Sequence, residues 1–233
     1  MVTYDKNRLT YLIAGICMVL LYFSATILRF IPFEILNIDY NKLPILFKQV
    51  YTIGVELLIV AVIVFVFFEQ YKKAWADLKK NHLKYFKENL KYYILGVVIM
   101  MSANALIAFL GGGTSANEEA IRGQFVVYPI FTFISAVFLA PLLEESVFRL
   151  SFRNIFKNKF LFIAFSGIIF GGIHLIYNIY SPYLPLYLIA YCAPGIVFAY
   201  IMAKTNNIFV SIGFHFMHNG ILMSMQYFIL IFG

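Results

Sequence analysis

The sequence Ala140-Pro141-Leu142-Leu143-Glu144-Glu145-Ser146-Val147-Phe148-Arg149 ends a long apolar run, Phe125 to Phe148, with two adjacent glutamates and an arginine. Charged side chains inside a membrane-length segment are costly and therefore commonly mark a functional site. On a helix, Glu145 and Arg149 lie four residues apart with the acid first, a spacing that favours an ion pair. Glu144 points about 100° away from Glu145 and is left without that partner. The stretch therefore predicts one paired and one free carboxylate in an apolar helix.

A proline lies shortly before these glutamates and is expected to disturb the helix. Pro141 has no N–H, so the carbonyl of Val137 loses its helical partner and the helix kinks or opens. A free carboxylate beside such a kink is a catalytic arrangement. In the alternative interpretation both glutamates are structural and pair with Arg149 or with another cation.

The composition of the chain is that of a membrane protein. It has 233 residues, of which 62% are hydrophobic and 12% charged, whereas a soluble domain is about 45–50% apolar and roughly 25% charged. Several runs exceed the roughly 20 apolar residues that a membrane-spanning helix needs. The alternating strands of about ten residues that are typical of a membrane β-barrel do not occur. The sequence therefore predicts an all-α polytopic bundle of seven or eight transmembrane helices, as a single integral membrane domain.

The basic residues are concentrated in the segments that we assign to one side of the membrane. The formal net charge is +7, and 14 of the 18 Lys and Arg residues fall in these segments. This positive-inside pattern predicts that the N-terminus, with Lys6 and Arg8, faces the cytoplasm, and it does not indicate a nucleic-acid partner. The two cysteines, Cys17 and Cys192, lie in apolar runs and offer neither a disulfide framework nor a metal motif.

Seven apolar segments are long enough to be predicted as spans, and an eighth would arise if the last one bends after Asn219. The predicted spans are Leu9–Ile31, Val50–Phe68, Tyr92–Leu110, Phe125–Arg149, Phe160–Tyr177, Pro182–Lys204 and Ile208–Ile231. Gly111-Gly112-Gly113 ends the third span, and Ser115 with Glu118 fits a capping box that opens the next helix. Thr205-Asn206-Asn207 is predicted to be a tight turn.

The segment from Glu69 to Lys91 is the most charged part of the chain. It holds seven lysines, and Trp75, Leu78, Leu83 and Phe86 recur near helical spacing. This pattern predicts a basic amphipathic helix on the cytoplasmic surface of the bilayer, attached to anionic lipid headgroups with Trp75 at the interface.

Four polar residues in apolar helices supply the candidate chemistry: Glu144, His174, His215 and Asn219. A water held between Glu144 and His174 could lose a proton to the carboxylate, which acts as a general base. His215 and Asn219 are four residues apart on one helix face. They could donate hydrogen bonds to a developing oxyanion. This would be hydrolysis without a covalent intermediate.

Two other kinds of site compete with this interpretation. Glu144, His174 and His215 have the composition of a catalytic zinc site, although no HExxH is present. A serine nucleophile is less favoured, because Ser146 faces a different side from Glu144 and no nucleophile elbow occurs. His218, three residues after His215, is more simply a structural side chain. Glu56 in the second span is an interfacial carboxylate or a further member of the site.

Three motifs in these helices resemble those of a known family. Glu144-Glu145-Ser146-Val147-Phe148-Arg149 resembles its EExxxR motif, Phe170 to His174 its FxxxH motif, and His215 to Asn219 its HxxxN motif. The family is that of the CPBP intramembrane proteases, which comprises the type II CAAX prenyl endopeptidases and related bacteriocin-processing or immunity proteins. Each motif alone is weak, and the three in this order on separate apolar helices are specific.

The resemblance implies a role for each matching residue. Glu144 would be the water-activating base and His174 its partner, and His215 and Asn219 would stabilise the transition state. The supporting residues would be Glu145, Arg149 and Phe170. Residues 125–233 would form the catalytic core and residues 1–124 a helical scaffold. The mechanism favoured here uses no metal, although the family has also been described as metalloproteases, for which zinc is the candidate.

The function predicted from this resemblance is an intramembrane endopeptidase. Its partners would be the lipid bilayer and a membrane-associated peptide or protein substrate, which is lipidated in part of the family. The protein would reside in a bacterial plasma membrane with its active site toward the cytoplasm. The alternative is a non-catalytic scaffold or a bacteriocin-immunity protein of the same fold.

Overall fold

The computed structural model describes residues 8–232. Lys6, which the positive-inside pattern predicts to face the cytoplasm, lies outside these residues. The described part of the chain is helical and contains no strand. Its α-helices are α1 Arg8–Leu28, α2 Ile31–Ile35, α3 Ile45–Val66, α4 Phe68–Phe109, α5 Ala116–Val127, α6 Pro129–Ile134, α7 Ala140–Glu145, α8 Phe152–Ile155, α9 Lys159–Ile173, α10 Leu184–Thr205 and α11 Ile208–Phe232. The predicted all-α membrane bundle is confirmed.

Within residues 8–232, six helical segments are long and apolar enough to cross a membrane. They are Arg8–Ile35, Ile45–Val66, Phe68–Phe109, Pro129–Ile155, Leu184–Thr205 and Ile208–Ile229. Helix α9 is apolar but only 15 residues long. Helix α11 runs on to Phe232 without the bend after Asn219 that an eighth span would need. Whether α9 adds a seventh span stays a prediction, and an eighth span would need a break that α11 does not show.

The sequence predicted a separate surface helix for the basic segment, and this prediction was wrong. The segment is the first half of α4. This helix has 42 residues and is about 63 Å long at 1.5 Å per residue. No Gly or Pro occurs between Phe68 and Leu95, so nothing in the sequence stops the helix at the membrane surface. All seven lysines of this half are exposed. Trp75 rests against Phe209 at the start of α11, with 5.3 Å between the ring centroids.

The predicted break and cap after α4 are confirmed. Gly111 has a φ of +81°, a left-handed conformation that favours glycine. Ser115 is the N-cap of α5, where its Oγ accepts a hydrogen bond from Glu118 N at 3.2 Å. The predicted fourth span began too early, since Phe125 belongs to α5 and the chain breaks at Tyr128 before Pro129 starts the next helix. The predicted domain boundary after residue 124 falls inside α5.

The segment 129–155, which carries the two glutamates, is irregular. Wider π-helical turns, Ser135–Leu139 and Ser146–Ser151, lie on either side of α7. The N–H of Ala140 donates to the carbonyl of Ser135, five residues back. Pro141 follows directly and cannot continue the regular ladder, because it has no N–H. The predicted opening of the helix at Pro141 therefore takes the form of π-helical turns, and the apolar side chains of the second turn are buried.

Close packing of α9 on α10 positions the end of α9. A Cβ at Gly167 would lie 2.8 Å from the backbone nitrogen of Ile196, and one at Gly171 would lie 2.8 Å from that of Cys192. Glycine at these positions lets the two backbones approach. Helix α9 ends at Ile173, earlier than the predicted end at Tyr177, so that His174 caps it.

The turn between α10 and α11 is held by α4. Asn206 adopts a left-handed conformation with φ 51°, as a tight turn requires. The side-chain N–H₂ of Asn207 donates to Ala74 O and to Asp77 Oδ2, each at 2.8 Å. Asp77 also accepts from Tyr85 OH at 2.7 Å. These contacts fix where α11 begins and hence the height of His215 along the bundle.

Candidate active site

The structure brings together three of the predicted catalytic side chains. His174 Nε2 lies 3.9 Å from Glu144 Oε1, and His215 Nε2 lies 3.7 Å from Glu144 Oε2. Glu144 comes from α7, His174 from the cap of α9 and His215 from the second turn of α11. Each gap is longer than a direct hydrogen bond, a spacing at which a bridging water is to be considered. Both carboxylate oxygens of Glu144 thus face an imidazole nitrogen.

The neighbouring carboxylate, Glu145, is fully engaged in a buried cluster. Its Oε2 lies 3.3 Å from Arg149 Nε, as the spacing of the two residues predicts, and both side chains are completely buried. Its Oε1 lies 2.9 Å from His215 Nδ1. The hydroxyl of Ser211 donates a short hydrogen bond to Oε2. Adjacent glutamates therefore have different environments, one filled by protein partners and one facing two histidines.

Phe170, a predicted supporting residue, packs against three members of the site. Its ring centroid lies 4.8 Å from that of His174 and 5.6 Å from that of His215. The guanidinium of Arg149 lies over the same ring at 4.6 Å, a cation–π distance. Phe170 is itself only 3% exposed. The ring of Phe170 thus lies close to the guanidinium and to both imidazoles.

Asn219 is placed differently from what the oxyanion role assumes. Its side-chain N–H₂ donates to the carbonyl of Ala136 at 2.8 Å, in the first π-helical turn. Within residues 8–232, no hydrogen bond joins Asn219 to Glu144, His174 or His215. One of its two N–H groups is thus used by the backbone, and its part in transition-state stabilisation stays a prediction.

Sequence reasoning missed two side chains that orient His215. Ser211 holds Glu145, and the ring of Phe198 on α10 stacks on the imidazole with centroids 4.7 Å apart. The signal for Ser211 was present, because it lies four residues before His215 on the same helix face. No signal in the sequence pointed to Phe198, since its contact with His215 depends on how α10 and α11 pack.

The remaining candidates lie around this cluster. His218 is buried, with its Nδ1 3.4 Å from Tyr93 OH, and the edge of its ring meets Phe198. The Oγ of Ser146 is bonded to Leu142 O and to Tyr71 OH, each at 2.5 Å, and a serine nucleophile stays the less favoured prediction. Glu56 lines a cavity together with Glu144.

The metal mechanism would use the same three side chains, Glu144, His174 and His215. Over residues 8–232, no three His, Cys, Asp or Glu side chains converge as a metal ion requires. His215 Nδ1 is bonded to Glu145, and its Nε2 and His174 Nε2 each lie close to a different oxygen of Glu144, so the zinc alternative stays a prediction. No step is therefore derived through a metal.

The segment that carries these residues is similar to known proteins. Residues 126–221, which include all three motifs, match the family model described as type II CAAX prenyl endopeptidase Rce1-like. The "Putative membrane peptidase YdiL" of Bacillus subtilis (strain 168) is 28% identical over 141 residues, which cover 59% of this chain and 48% of that protein. No solved structure gives a significant match.

Two further curated proteins are similar over shorter segments. An "Uncharacterized protein" of Mycoplasma capricolum subsp. capricolum is 33% identical over 129 residues, 46% of this chain and 38% of that protein. The "UPF0177 protein YaiH" of Lactococcus lactis subsp. lactis is 36% identical over 72 residues, 30% of each chain. The chain spans less than half the length of these curated relatives. Residues 126–221, with their three motifs, are thus similar to the type II CAAX prenyl endopeptidases, and a longer part of the chain is similar to a protein named as a putative membrane peptidase.

Proposed function

We propose that the protein is a membrane endopeptidase that hydrolyses a peptide bond with a water activated by Glu144. The observation that carries this proposal is the contrast between the two glutamates. The carboxylate oxygens of Glu145 are paired with Arg149, His215 and Ser211. The oxygens of Glu144 face imidazole nitrogens at 3.7 and 3.9 Å. A carboxylate that acts as a general base needs such access to a water and to the substrate.

In the first step, a water between Glu144 and His174 attacks the carbonyl carbon of the substrate. Glu144 takes one proton from the water as the new C–O bond forms, and the carbonyl oxygen becomes an oxyanion. His215 is held at Nδ1 by Glu145, which leaves its Nε2 to donate a hydrogen bond to that oxyanion when the ring is protonated. Donors fixed before the reaction are the most effective stabilisers of such charge.

In the second step, the tetrahedral intermediate collapses and the C–N bond breaks. Glu144 returns its proton to the leaving amine, so that one water is consumed and the carboxyl and amine products are released. Charge balance supports this assignment. The positive charge of the buried Arg149 offsets the negative charge of Glu145. Glu144 is left to carry the proton that passes from the water to the leaving amine.

The substrate class and the orientation are also part of the proposal. One relative named above carries the name "Putative membrane peptidase YdiL", and we assign this chain a membrane-associated peptide or protein as substrate. The substrate is lipidated if the chain shares the preference of the CAAX prenyl endopeptidases. The active site faces the cytoplasm of a bacterial plasma membrane, the side that holds the exposed lysines of α4.

The test is cleavage of a quenched-fluorescent peptide library, plain and prenylated, by the purified full chain in detergent. Glu144→Gln and His174→Ala should lose turnover by about 10²-fold or more, as expected when a general base or its partner is removed. Glu34→Gln, an exposed glutamate on α2, is the control. Thermal unfolding of each variant shows that it is folded. If the wild-type protein is folded but cleaves none of the peptides, the enzyme hypothesis is rejected. The alternative, a scaffold or immunity protein, would keep its function in Glu144→Gln.

A further inference from the structure

A cavity of about 160 Å³ opens beside Glu144, on the side of α1 and α3. Its apolar wall includes Ala25, Val55 and Leu143. The two histidines of the candidate active site are not among its lining residues. Glu144 therefore stands between the imidazoles on one side and this cavity on the other, so a substrate residue held at Glu144 can extend its side chain into the cavity.

Two charged side chains in the cavity wall have buried atoms without partners. They are Arg29 at the end of α1 and Glu56 on α3. Arg29 Nε and Glu56 Oε2 are buried and accept or donate no hydrogen bond. In the part of the chain from residue 8 to residue 232, neither side chain forms an ion pair. A buried polar atom without a protein partner is costly, so these two atoms are available to bond a water or a ligand in the cavity.

The charges decide which kind of ligand fits. Glu56 and Glu144 are two carboxylates in the same wall, and Arg29 is its one guanidinium. The wall therefore holds one more acidic than basic side chain, an excess that a cationic ligand would balance. Thr26 and Thr52 add hydroxyl groups that can accept a hydrogen bond from an ammonium or guanidinium group.

The size of the cavity decides how much of the ligand enters. A cavity of about 150 Å³ holds a molecule of the size of benzene, so this one holds a single side chain and no longer segment of peptide. Apolar walls and a carboxylate match the side chain of lysine or arginine, which has an apolar stem and a charged end.

We propose that the cavity beside Glu144 is the specificity pocket of the protease and that Glu56 binds a lysine or arginine side chain of the substrate residue next to the scissile bond. The inference rests on the proposed function, because it uses Glu144 as the point at which the peptide bond is held. Glu56 is then a specificity-determining residue, and a pocket of this kind selects substrates by one charged contact. Arg29, the one basic side chain in the same wall, favours an acidic residue, but the two carboxylates outnumber it.

The experiment compares matched peptides that differ in one residue next to the cleaved bond: lysine, norleucine or glutamate. Norleucine has the length of the lysine stem without its charge. Wild-type protein should cleave the lysine peptide about 30-fold faster than the norleucine peptide, as expected when one partner of a buried charge pair is removed. Glu56→Gln should bring the ratio of these two rates close to one. Glu34→Gln, which removes an exposed carboxylate, should keep the wild-type ratio.

Binding keeps the inference testable if no peptide is cleaved. Fluorescence polarisation measures binding of the same peptides, carrying a fluorescent label, to the Glu144→Gln protein. The lysine peptide should bind more tightly than the norleucine peptide. This preference should be lost in Glu144→Gln/Glu56→Gln. Equal rates and affinities for lysine and norleucine would overturn the proposal while leaving the protease intact. A preference for glutamate that Arg29→Gln removes would also overturn it and would assign the cavity to an anion.

Discussion

The ion pair between Glu145 and Arg149 has a matched control in the same chain, and the two pairs should differ strongly in their contribution to stability. Glu118 and Arg122 on α5 have the same spacing, with the acid four residues before the arginine. The side chains of Glu145 and Arg149 are 0% exposed, whereas those of Glu118 and Arg122 are 41% and 46% exposed. Burial is thus the main difference between the pairs.

Replacing each arginine by methionine measures the effect of that burial. Arg149→Met leaves the carboxylate of Glu145 buried without its cation, a change that costs about 3–5 kcal/mol in the free energy of unfolding. We expect about 3 kcal/mol, the lower end of this range, because Ser211 and His215 still hold Glu145. Arg122→Met should cost about 0.3–0.5 kcal/mol, the usual value of an exposed helical pair.

Reversible unfolding in mixed micelles of a mild detergent and dodecyl sulfate measures both free energies on the full chain. The wild type and the two variants are compared at one detergent composition, and cleavage of a peptide is measured in parallel. Equal losses for Arg149→Met and Arg122→Met would refute the reasoning, because they would show that burial does not change what the cation contributes. A loss below about 1 kcal/mol for Arg149→Met would refute it as well.

Three further predictions concern packing and chemistry. Gly171→Ala should cost about 1–3 kcal/mol of stability, because its Cβ would lie 2.8 Å from the backbone nitrogen of Cys192. Gly172→Ala, with no atom within 4 Å, should keep or slightly raise the midpoint of thermal unfolding, because alanine is the better helix former. Ser146→Ala should keep peptide cleavage but lose about 1–3 kcal/mol of stability, since Tyr71 OH then lacks its partner; loss of cleavage in a folded protein would restore the serine mechanism. Cleavage should persist in phenanthroline, and a loss that zinc reverses would make His174 a metal ligand.

The class of the fold and three candidate residues that the structure brings together, Glu144, His174 and His215, were predicted from the sequence by itself. Apolar runs of membrane length require helices, because a backbone inside a bilayer must satisfy its own hydrogen bonds. Pro141 and Gly111 marked the breaks for local steric reasons, and the structure shows an opened helix and a left-handed glycine at these positions. The pairing of Glu145 with Arg149 followed from a spacing of four residues on one helix. These are properties of short segments, which a sequence contains directly.

Other features depended on how distant helices pack. The continuation of the basic segment into one 42-residue helix could have been expected from the absence of a breaker, but the charge pattern favoured a surface helix. His174 lies 15 residues into its helical segment and His215 only seven into its own, yet both reach Glu144. Only the close approach of α9 to α10 and the docking of Asn207 on α4 bring them to one height.

The different environments of the two glutamates separate what the sequence determined from what the tertiary structure decided. The sequence determined that two adjacent carboxylates sit in an apolar helix and that one of them faces Arg149. The tertiary structure decided that Ser211 and His215 join that pair, that Phe198 and Phe170 enclose the imidazole, and that Glu56 shares a cavity with Glu144. The physical reason is that side-chain spacing is set by the helix repeat, whereas the partners of a buried charge come from helices far apart in the chain.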